Sequence, residues 1–364
     1  MSKILILTNH SYMFYRFRKE LLAELLKSYE VVLGTPFVGH ENDLAAMGAR
    51  CIETPLNRRG TNPFEDRKLY RQYRQLLKQE KPDLVVTYSV KPNVYGGEAC
   101  KKAGIPYCAN VQGIGTAFQK PMTAFLVTRM YRKAFRGVHT VFFENESNAE
   151  EFARRRIVKE DKQCVLSGAG VNLETYKTNG ALQCDDGKIH FLYLGRIMHE
   201  KGMDELLGAV RRLWETDIPF VLDIVGFFED KYEKDIKELE KKGLVRFYGF
   251  TENPVPYYEK CDCVILPSYH EGMSNVLLEA AAMSRPIIAS DIPGCREAVE
   301  DGVSGILCNA KDTESLYQAM LRFTQMDDEE RELMGRCGRY RMEQKFDKNG
   351  VVRKTVHVLE DAMK

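Results

Sequence analysis

Two carboxylates stand eight positions apart in the segment HEGMSNVLLE, which runs from His270 to Glu279. The apolar residues after Ser274 predict a helix, with Glu271 in the loop before it and Glu279 on its second turn. Backbone amides at a helix start favour a diphosphate, because they lack helical partners and the helix dipole is positive there. The amides concerned are those of Gly272, Met273, Ser274 and Asn275. The two carboxylates then fit two hydroxyl-bearing parts of one extended ligand, such as a sugar and a ribose.

Glu279 also has a plainer interpretation, as an exposed residue of the helix surface. Its neighbours at 276–278 and 280–282 are apolar, however, and a helix of that composition is largely buried. A buried carboxylate needs a partner, which favours a ligand contact for Glu279.

Two cations form a second group, in the segment that begins at Gly195. Arg196 follows the strand-like run Ile189–Leu194, and Lys201 stands just before a predicted helix. Arginine can bind two phosphate oxygens at once and lysine adds a point charge, so this spacing suits a phosphate clamp. Alone the pattern fits a surface salt bridge better. Beside the segment from His270 to Glu279 it favours the clamp.

Strand-like and helical runs alternate along the chain, which predicts an α/β fold with parallel, doubly wound sheets. The polar stretch 177–187 predicts a linker between two Rossmann-like domains at 1–176 and 188–345, with a C-terminal helix at 346–364 that returns to the first domain. Ligands of such sheets bind outside the carboxyl ends of the strands, so we expect the chemistry in the cleft between the domains. The strand-like runs are Ile4–Thr8, Val31–Gly34, Leu84–Tyr88, Tyr107–Val111, His139–Phe143, Ile189–Leu194, Phe220–Val225, Val245–Tyr248, Cys263–Pro267, Pro286–Ala289 and Gly305–Leu307.

Composition is that of a soluble globular protein, with 44% hydrophobic and 29% charged residues among 364. No run approaches the roughly 20 apolar residues of a membrane helix, and no signal-peptide pattern follows Met1, so we expect a cytoplasmic protein. Ten scattered cysteines show no zinc spacing, and we expect no metal site. The net charge of +1 divides into +10 over residues 1–170 and −9 over residues 171–364, which indicates different partners for the two halves.

Three motifs of the second half resemble the donor-binding domain of the retaining GT-B glycosyltransferases of family 4. These motifs are GRIMHEKG from Gly195, YHEGMSNVLLEAAA from Tyr269 and IPGCRE from Ile292. The first half is similar to bacterial enzymes that extend undecaprenyl-diphosphate-linked saccharides, such as N-acetylgalactosaminyl- and galacturonosyltransferases. That similarity rests on RRGTNP at 58–63, YSVKPNVYGG at 88–97 and NVQGIGTAF at 110–118.

The resemblance implies a role for each residue of the predicted site. Arg196 and Lys201 would neutralise the departing nucleotide diphosphate, and Gly195 would belong to the same donor-binding loop. Glu271 would hold hydroxyls of the transferred sugar. Glu279 would hold the hydroxyls of the ribose. The backbone at Phe250 and Thr251 would meet the base. It also implies transfer with retention, by a front-side route in which the leaving phosphate takes the acceptor proton. Neither a metal nor a cofactor is expected beside the UDP-sugar substrate.

The first loop departs from the glycine-rich pattern of many family members, because Thr8 is followed by Asn9, His10, Ser11 and Tyr12. His10 is a candidate contact for acceptor or donor, and an ordinary surface histidine is an equally good interpretation. The other candidates in this half are Lys91, Asn93 and Gly113.

Two segments of the basic half mix aromatic and cationic residues, as an interfacial helix on an anionic bilayer does. In the first, Phe125, Leu126, Met130 and Phe135 can share an apolar arc flanked by Arg129, Arg132, Lys133 and Arg136. The second runs from Tyr12 to Arg18. A core-packing helix with a solvated basic face is the alternative for each segment. Nucleic acid is a poorer partner, because no recognised binding module is present.

The sequence therefore predicts a metal-independent, retaining hexosyltransferase, peripheral on the inner face of the plasma membrane. It would move a hexose derivative from a UDP-sugar to a polyprenyl-diphosphate-linked saccharide in surface polysaccharide or glycan assembly. Two alternatives stay open, a sugar-nucleotide epimerase of the same two-domain form and a non-catalytic nucleotide-sugar-binding protein.

Overall fold

A computed structural model describes residues 1–58, 60, 62–114, 118, 121–178 and 186–364. It divides into two compact units. The first consists of Met1–Ala169 together with Lys348–Lys364, and the second of Gly170–Asp347.

The first unit contains a sheet of seven parallel strands in the order β3-β2-β1-β4-β5-β6-β7. Residues of β1 and β4 are buried almost throughout, because helices cover both faces of the sheet. The strands are β1 Lys3–Leu7, β2 Glu30–Thr35, β3 Arg50–Glu53, β4 Leu84–Tyr88, β5 Tyr107–Val111, β6 Thr140–Phe143 and β7 Gln163–Val165. The helices are α1 Ser11–Leu25, α2 Glu41–Ala46, α3 Pro63–Glu80, α4 Gly97–Ala103, α5 Pro121–Ala134, α6 Glu146–Arg154 and, from the chain end, α13 Lys348–Asp361.

The second unit contains six parallel strands in the order β10-β9-β8-β11-β12-β13. Strand β8 pairs with β9 from Ile189 opposite Phe220 to Leu194 opposite Val225, which aligns their carboxyl ends. The strands are β8 Ile189–Leu194, β9 Phe220–Val225, β10 Val245–Gly249, β11 Cys263–Leu266, β12 Ile287–Ser290 and β13 Gly305–Cys308. The helices are α7 Met203–Trp214, α8 Glu233–Lys241, α9 Val255–Lys260, α10 Asn275–Ala282, α11 Thr313–Thr324 and α12 Asp328–Lys345.

The predicted class is confirmed, since each unit is a doubly wound parallel sheet. The C-terminal helix α13 packs on the first unit as predicted, and the Lys348 ammonium donates to the Phe17 carbonyl oxygen at 3.1 Å. The division between the units falls at residue 170. The predicted linker at 177–187 lies largely outside the described residues, because 179–185 are not described.

Strands β3 and β7 were not predicted. Both lie at the edges of the first sheet, and their sequences RCIE and QCV lack the apolar run that marks the inner strands. Edge strands need less burial, so their sequence signal is weaker.

Candidate active site

The predicted site residues of the second half lie at the point where the strand order of the sheet reverses. Strands β8 and β11 are neighbours in the sheet but distant in sequence, so the connections after them leave in opposite directions. This switch point opens a crevice at the carboxyl ends of parallel strands, where ligands bind. Arg196 and Lys201 follow β8, and Glu271 follows β11.

Lys201 and Glu271 form an ion pair, with 2.5 Å between Nζ and Oε1. The side chains are 16% and 13% exposed, so solvent screens this pair less than it screens a surface pair. The resemblance assigned the lysine to a diphosphate and the glutamate to the sugar. In a nucleotide sugar, a single bond joins the sugar to the diphosphate. The ion pair brings the two side chains as close together as those two parts of the ligand are.

Gly202 holds Lys201 in place, since its backbone is left-handed at φ 71°. A Cβ there would lie 2.0 Å from the carbonyl oxygen of Pro267, so no other residue fits this approach to the end of β11. The two loops are also joined by a hydrogen bond from the Tyr269 amide to the Glu200 carbonyl oxygen at 3.0 Å.

Arg196 pairs with Glu229, a residue of the loop after β9. Its Nη1 lies 2.8 Å from the Glu229 carboxylate. The buried Tyr193 hydroxyl donates to the Arg196 carbonyl oxygen at 2.6 Å, so backbone and side chain of the arginine are both held. Burial and the charge of Glu271 raise the pKa of Tyr193, which therefore remains a neutral donor.

Helix α10 begins where the sequence predicted, with Ser274 as its N-cap residue. The Ser274 hydroxyl accepts from the Leu277 amide at 3.4 Å. The Ser274 amide is not available to a ligand as predicted, because it donates to the Gly294 carbonyl oxygen at 3.0 Å. Within the part of the chain that the structure describes, the amides of Met273 and Asn275 donate to no acceptor. They keep the anion-binding character expected of this helix start.

The IPGCRE motif packs against the backbone of Glu271 and Gly272. Gly294 has φ 88°, and a Cβ there would lie 2.7 Å from the carbonyl oxygen of Gly272 and 2.8 Å from Glu271 Cβ. Burial and the Glu271 charge raise the pKa of the adjacent Cys295 thiol, so it stays protonated. The motif therefore acts as a close-packed support for the carboxylate.

Glu279 is 6% exposed, which rules out the exposed alternative. Its carboxylate accepts from the Tyr258 hydroxyl at 3.0 Å, and burial together with this carboxylate raises the pKa of Tyr258. The partner that a buried carboxylate requires is thus supplied in part by the protein. Contact with a ribose remains a prediction.

Two aromatic rings stand at the carboxyl ends of β9 and β10. Phe250 is 55% exposed, and its centroid lies 6.1 Å from that of Phe227 in an edge-on arrangement. The Thr251 hydroxyl bonds within its own turn, to Asn253. This is the place at which the resemblance expects a base, and that expectation stays a prediction.

In the first unit, His10 and Lys91 flank the corresponding switch point between β1 and β4. His10 caps α1 and is half-buried, and burial with the nearby Arg58 lowers its pKa to about 4. Lys91 pairs with Asp66 at 2.7 Å. Gly113 lies in the loop after β5.

Asn93 is fully buried and is an internal link of the first unit. It accepts from the Thr87 hydroxyl at 2.6 Å and donates to the Asn110 carbonyl oxygen at 2.7 Å. A contact of Asn93 with acceptor or donor stays a prediction.

Helix α5 buries Ala124, Thr128 and Tyr131 and exposes its opposite face. The predicted apolar arc is wrong in part: Phe135 belongs to the core at 3% exposure, and Met130 is half-buried. The exposed apolar face consists of Met122, Phe125 and Leu126, which are 88%, 64% and 59% exposed.

The segment from Tyr12 to Arg18 matches its core-packing alternative. Phe14 and Arg18 are buried, and Arg18 pairs with Glu144 at 2.6 Å. In the residues described, no helix is long and apolar enough to cross a bilayer, and no group of three or more His, Cys, Asp or Glu could hold a metal ion.

The sequence analysis did not predict Glu229 or Tyr258 as residues of the site. Glu229 had a detectable signal, because it comes four residues after the end of β9 and polar residues at that edge of a parallel sheet face ligands. Tyr258 had none, since its contact with Glu279 depends on how α9 packs beside α10.

Both halves of the chain match glycosyltransferase family models. Residues 3–145 match the model described as "Glycosyl transferase 4-like", and residues 188–326 match "Glycosyl transferases group 1". The motifs RRGTNP and NVQGIGTAF fall partly outside the described residues, at 59, 61 and 115–117.

Two curated bacterial proteins are similar over most of the chain. The N,N'-diacetylbacillosaminyl-diphospho-undecaprenol alpha-1,3-N-acetylgalactosaminyltransferase of Campylobacter jejuni is 29% identical over 84% of this chain and 84% of its own. The capsular polysaccharide biosynthesis glycosyltransferase CapM of Staphylococcus aureus is 25% identical over 78% of each chain.

Solved structures share the fold over the full length. A glycosyltransferase of Rickettsia africae has a TM-score of 0.79 at 18% identity, covering 100% of this chain and 99% of its own. Anabaena HepE, solved in complex with UDP, has a TM-score of 0.80 at 19% identity, covering 99% of this chain and 100% of its own. These likenesses establish the GT-B fold.

Proposed function

We propose a reaction from one premise: this chain belongs to the group 1 glycosyltransferases, with a glycosyltransferase 4-like domain ahead of its group 1 domain. The reaction is the transfer of a hexose derivative from a UDP-sugar to a polyprenyl-diphosphate-linked saccharide, as a step in surface polysaccharide or glycan assembly.

The Lys201–Glu271 ion pair carries this proposal, together with Arg196 in the same connection after β8. Breaking the bond between sugar and diphosphate leaves an additional negative charge on the departing phosphate. Two fixed cations stabilise that charge as it develops, which lowers the barrier. Glu271 lies 2.5 Å from the Lys201 ammonium and can accept from sugar hydroxyls, so we assign the lysine to the leaving group and the glutamate to the sugar.

Three finer features of the reaction follow from the family resemblance. We propose that the sugar keeps its anomeric configuration and that the leaving phosphate takes the acceptor proton. We also propose that the two cations serve without a divalent metal ion. UDP is the nucleotide to test first, since a protein of the same fold has been solved with it.

The acceptor is proposed from the similar proteins and from charge. The similar transferase of Campylobacter jejuni is named for a diphospho-undecaprenol substrate, and a second one, 28% identical over 56% of this chain, is named for the same lipid carrier. Residues 1–170 carry a net charge of +10, which suits a diphosphate and an anionic bilayer surface.

Helix α5 supplies a surface for that bilayer. The exposed Met122, Phe125 and Leu126 lie towards its N-terminal end, and the exposed Arg129 follows them on the helix. The exposed Arg136 lies just after the helix ends at Ala134. Apolar side chains that enter the interface and cations that face anionic headgroups form an interfacial helix. We propose peripheral binding to the inner face of the plasma membrane through this face of α5.

The proposal is tested in two steps. A panel of UDP-sugars is first screened for an increase in melting temperature, and the stabilising sugar is then incubated with polyprenyl-diphosphate-linked saccharides. The proposal expects a lipid product that has gained one sugar residue. A free epimerised nucleotide sugar without an acceptor would point to an epimerase. Stabilisation without transfer or hydrolysis would point to a binding protein.

A further inference from the structure

The loop from Phe227 to Asp230, here called the β9 loop, lies beside Arg196, and its residue Glu229 has been given no function so far. It follows the carboxyl end of β9, the strand next to β8 in the sheet. Its third residue, Glu229, forms the ion pair with Arg196.

The β9 loop is joined to the Arg196 loop by hydrogen bonds in both directions. The amides of Glu229 and Asp230 donate to the Ile197 carbonyl oxygen at 3.0 and 3.2 Å. The Ile197 amide donates to the Phe227 carbonyl oxygen at 2.8 Å, and the His199 amide donates to the Asp230 carboxylate at 2.8 Å. Glu229 therefore starts from a backbone position that is fixed relative to Arg196.

The pair leaves most of the arginine unused. Arg196 donates to Glu229 through Nη1, while Nε and Nη2 meet no acceptor among the residues that the structure describes. A guanidinium presents five N–H donors in a rigid plane, so fixing one corner fixes the direction of the others. The Arg196 side chain is 43% exposed and that of Glu229 is 21% exposed, so the guanidinium stays accessible to a ligand while it is paired.

We propose that Glu229 is a positioning residue for the nucleoside diphosphate. It holds the Arg196 guanidinium so that its remaining donors face the phosphate oxygens. This inference rests on the proposed function, because it assigns Arg196 to the donor. A carboxylate that competed with phosphate for the same guanidinium would have the opposite effect. The two effects predict opposite signs for the removal of Glu229.

The test is calorimetric titration of UDP into the full-length protein and its variants. Arg196→Ala measures the contribution of the cation. Glu229→Ala removes the anchor, and Glu229→Gln keeps a hydrogen-bond acceptor without the charge. The matched control is Asp235→Ala, which breaks the exposed contact of Arg211 with Asp235 at 3.2 Å in the same unit.

We expect Glu229→Ala to weaken UDP binding by about 3- to 10-fold, the effect of one oriented hydrogen-bonding group. Glu229→Gln should lose less, because it retains an acceptor for Nη1. Asp235→Ala should match the wild type. In an Arg196→Ala background, Glu229→Ala should have no further effect, since a positioning residue acts only through the group that it positions.

Unchanged or tighter UDP binding by Glu229→Ala would overturn the positioning role, and so would full additivity with Arg196→Ala. If Arg196→Ala itself binds UDP as the wild type does, the donor site of the proposed function is wrong. Thermal melting of each variant separates these effects from a loss of folding.

Discussion

Removal of the Lys201 ammonium is the perturbation that separates a chemical role from a structural one. Lys201→Ala leaves the Glu271 carboxylate without its partner at 2.5 Å, in a position where it is 13% exposed. A hydrogen bond to a charged group contributes about 1.5–3 kcal/mol, and the remaining exposure reduces the loss of stability to about 1–2 kcal/mol. For a unit of this size that corresponds to a fall of about 2–8 °C in melting temperature.

Transfer should fall much further than stability does. A fixed donor that stabilises developing charge contributes about 10²–10³-fold to kcat. The double variant Lys201→Ala/Glu271→Gln removes both charges and should recover most of the lost stability, because no unpaired carboxylate remains. Its activity should stay at or below that of Lys201→Ala.

The assays are calorimetric melting and single-turnover transfer at saturating donor. Lys242→Ala is the matched control, because Lys242 forms an exposed ion pair with Glu238 at 2.7 Å in the same unit. That variant should resemble the wild type in both assays. A chemical role for Lys201 is excluded if Lys201→Ala transfers within about threefold of the wild type, or if activity returns together with stability in the double variant.

Three further predictions follow from the buried carboxylate, the exposed helix face and the capping histidine. Glu279→Ala should raise KM for the donor about tenfold or more. It should also destabilise the protein by about 1–3 kcal/mol, because the Tyr258 hydroxyl loses a buried acceptor. Glu279→Gln should be close to the wild type in chemical denaturation. Phe125→Glu with Leu126→Glu should reduce flotation with anionic liposomes, and wild-type flotation should weaken as salt rises. Burial and Arg58 lower the pKa of His10 to about 4, so the folded state resists protonation and its stability should decline as pH falls from 6.5 to 4. The variant His10→Asn keeps a capping oxygen but does not titrate. Its denaturation midpoint, plotted against pH, should therefore change less over this range.

The controls for these variants lie elsewhere in the chain. Leu333→Glu changes a leucine of the second unit that is 54% exposed, and it should leave flotation unchanged. Flotation that is equal for the α5 variant and the wild type would contradict the membrane surface. A pH profile of His10→Asn parallel to that of the wild type would contradict the role of burial at His10.

The elements that carry the site could be predicted from sequence because each is marked by a local pattern. The inner strands are continuous apolar runs, and Ser274 with the apolar residues after it marks the start of α10. The alternation of strands and helices then places Arg196, Lys201 and Glu271 at one edge of the second sheet.

The side-chain partners could not be predicted, because they depend on how separate loops pack against one another. Glu271 meets Lys201 across 70 positions of sequence, and Arg196 meets Glu229 across 33. The occupied amide of Ser274 has the same origin, since its acceptor at Gly294 belongs to another loop. Phe135 was placed on the wrong surface because α5 ends at Ala134, so helical spacing does not continue to it.

Transfer of a sugar from a nucleotide to a lipid-linked saccharide at the Lys201–Glu271 site is tested by measuring both products at once. UDP release and the lipid-linked product are followed by mass spectrometry for the wild type and for Lys201→Ala/Glu271→Gln. We predict one UDP released for each lipid-linked saccharide extended by the wild type, and neither product above background from the variant. UDP release without an extended lipid, or equal extension by the variant, would contradict sugar transfer at this site.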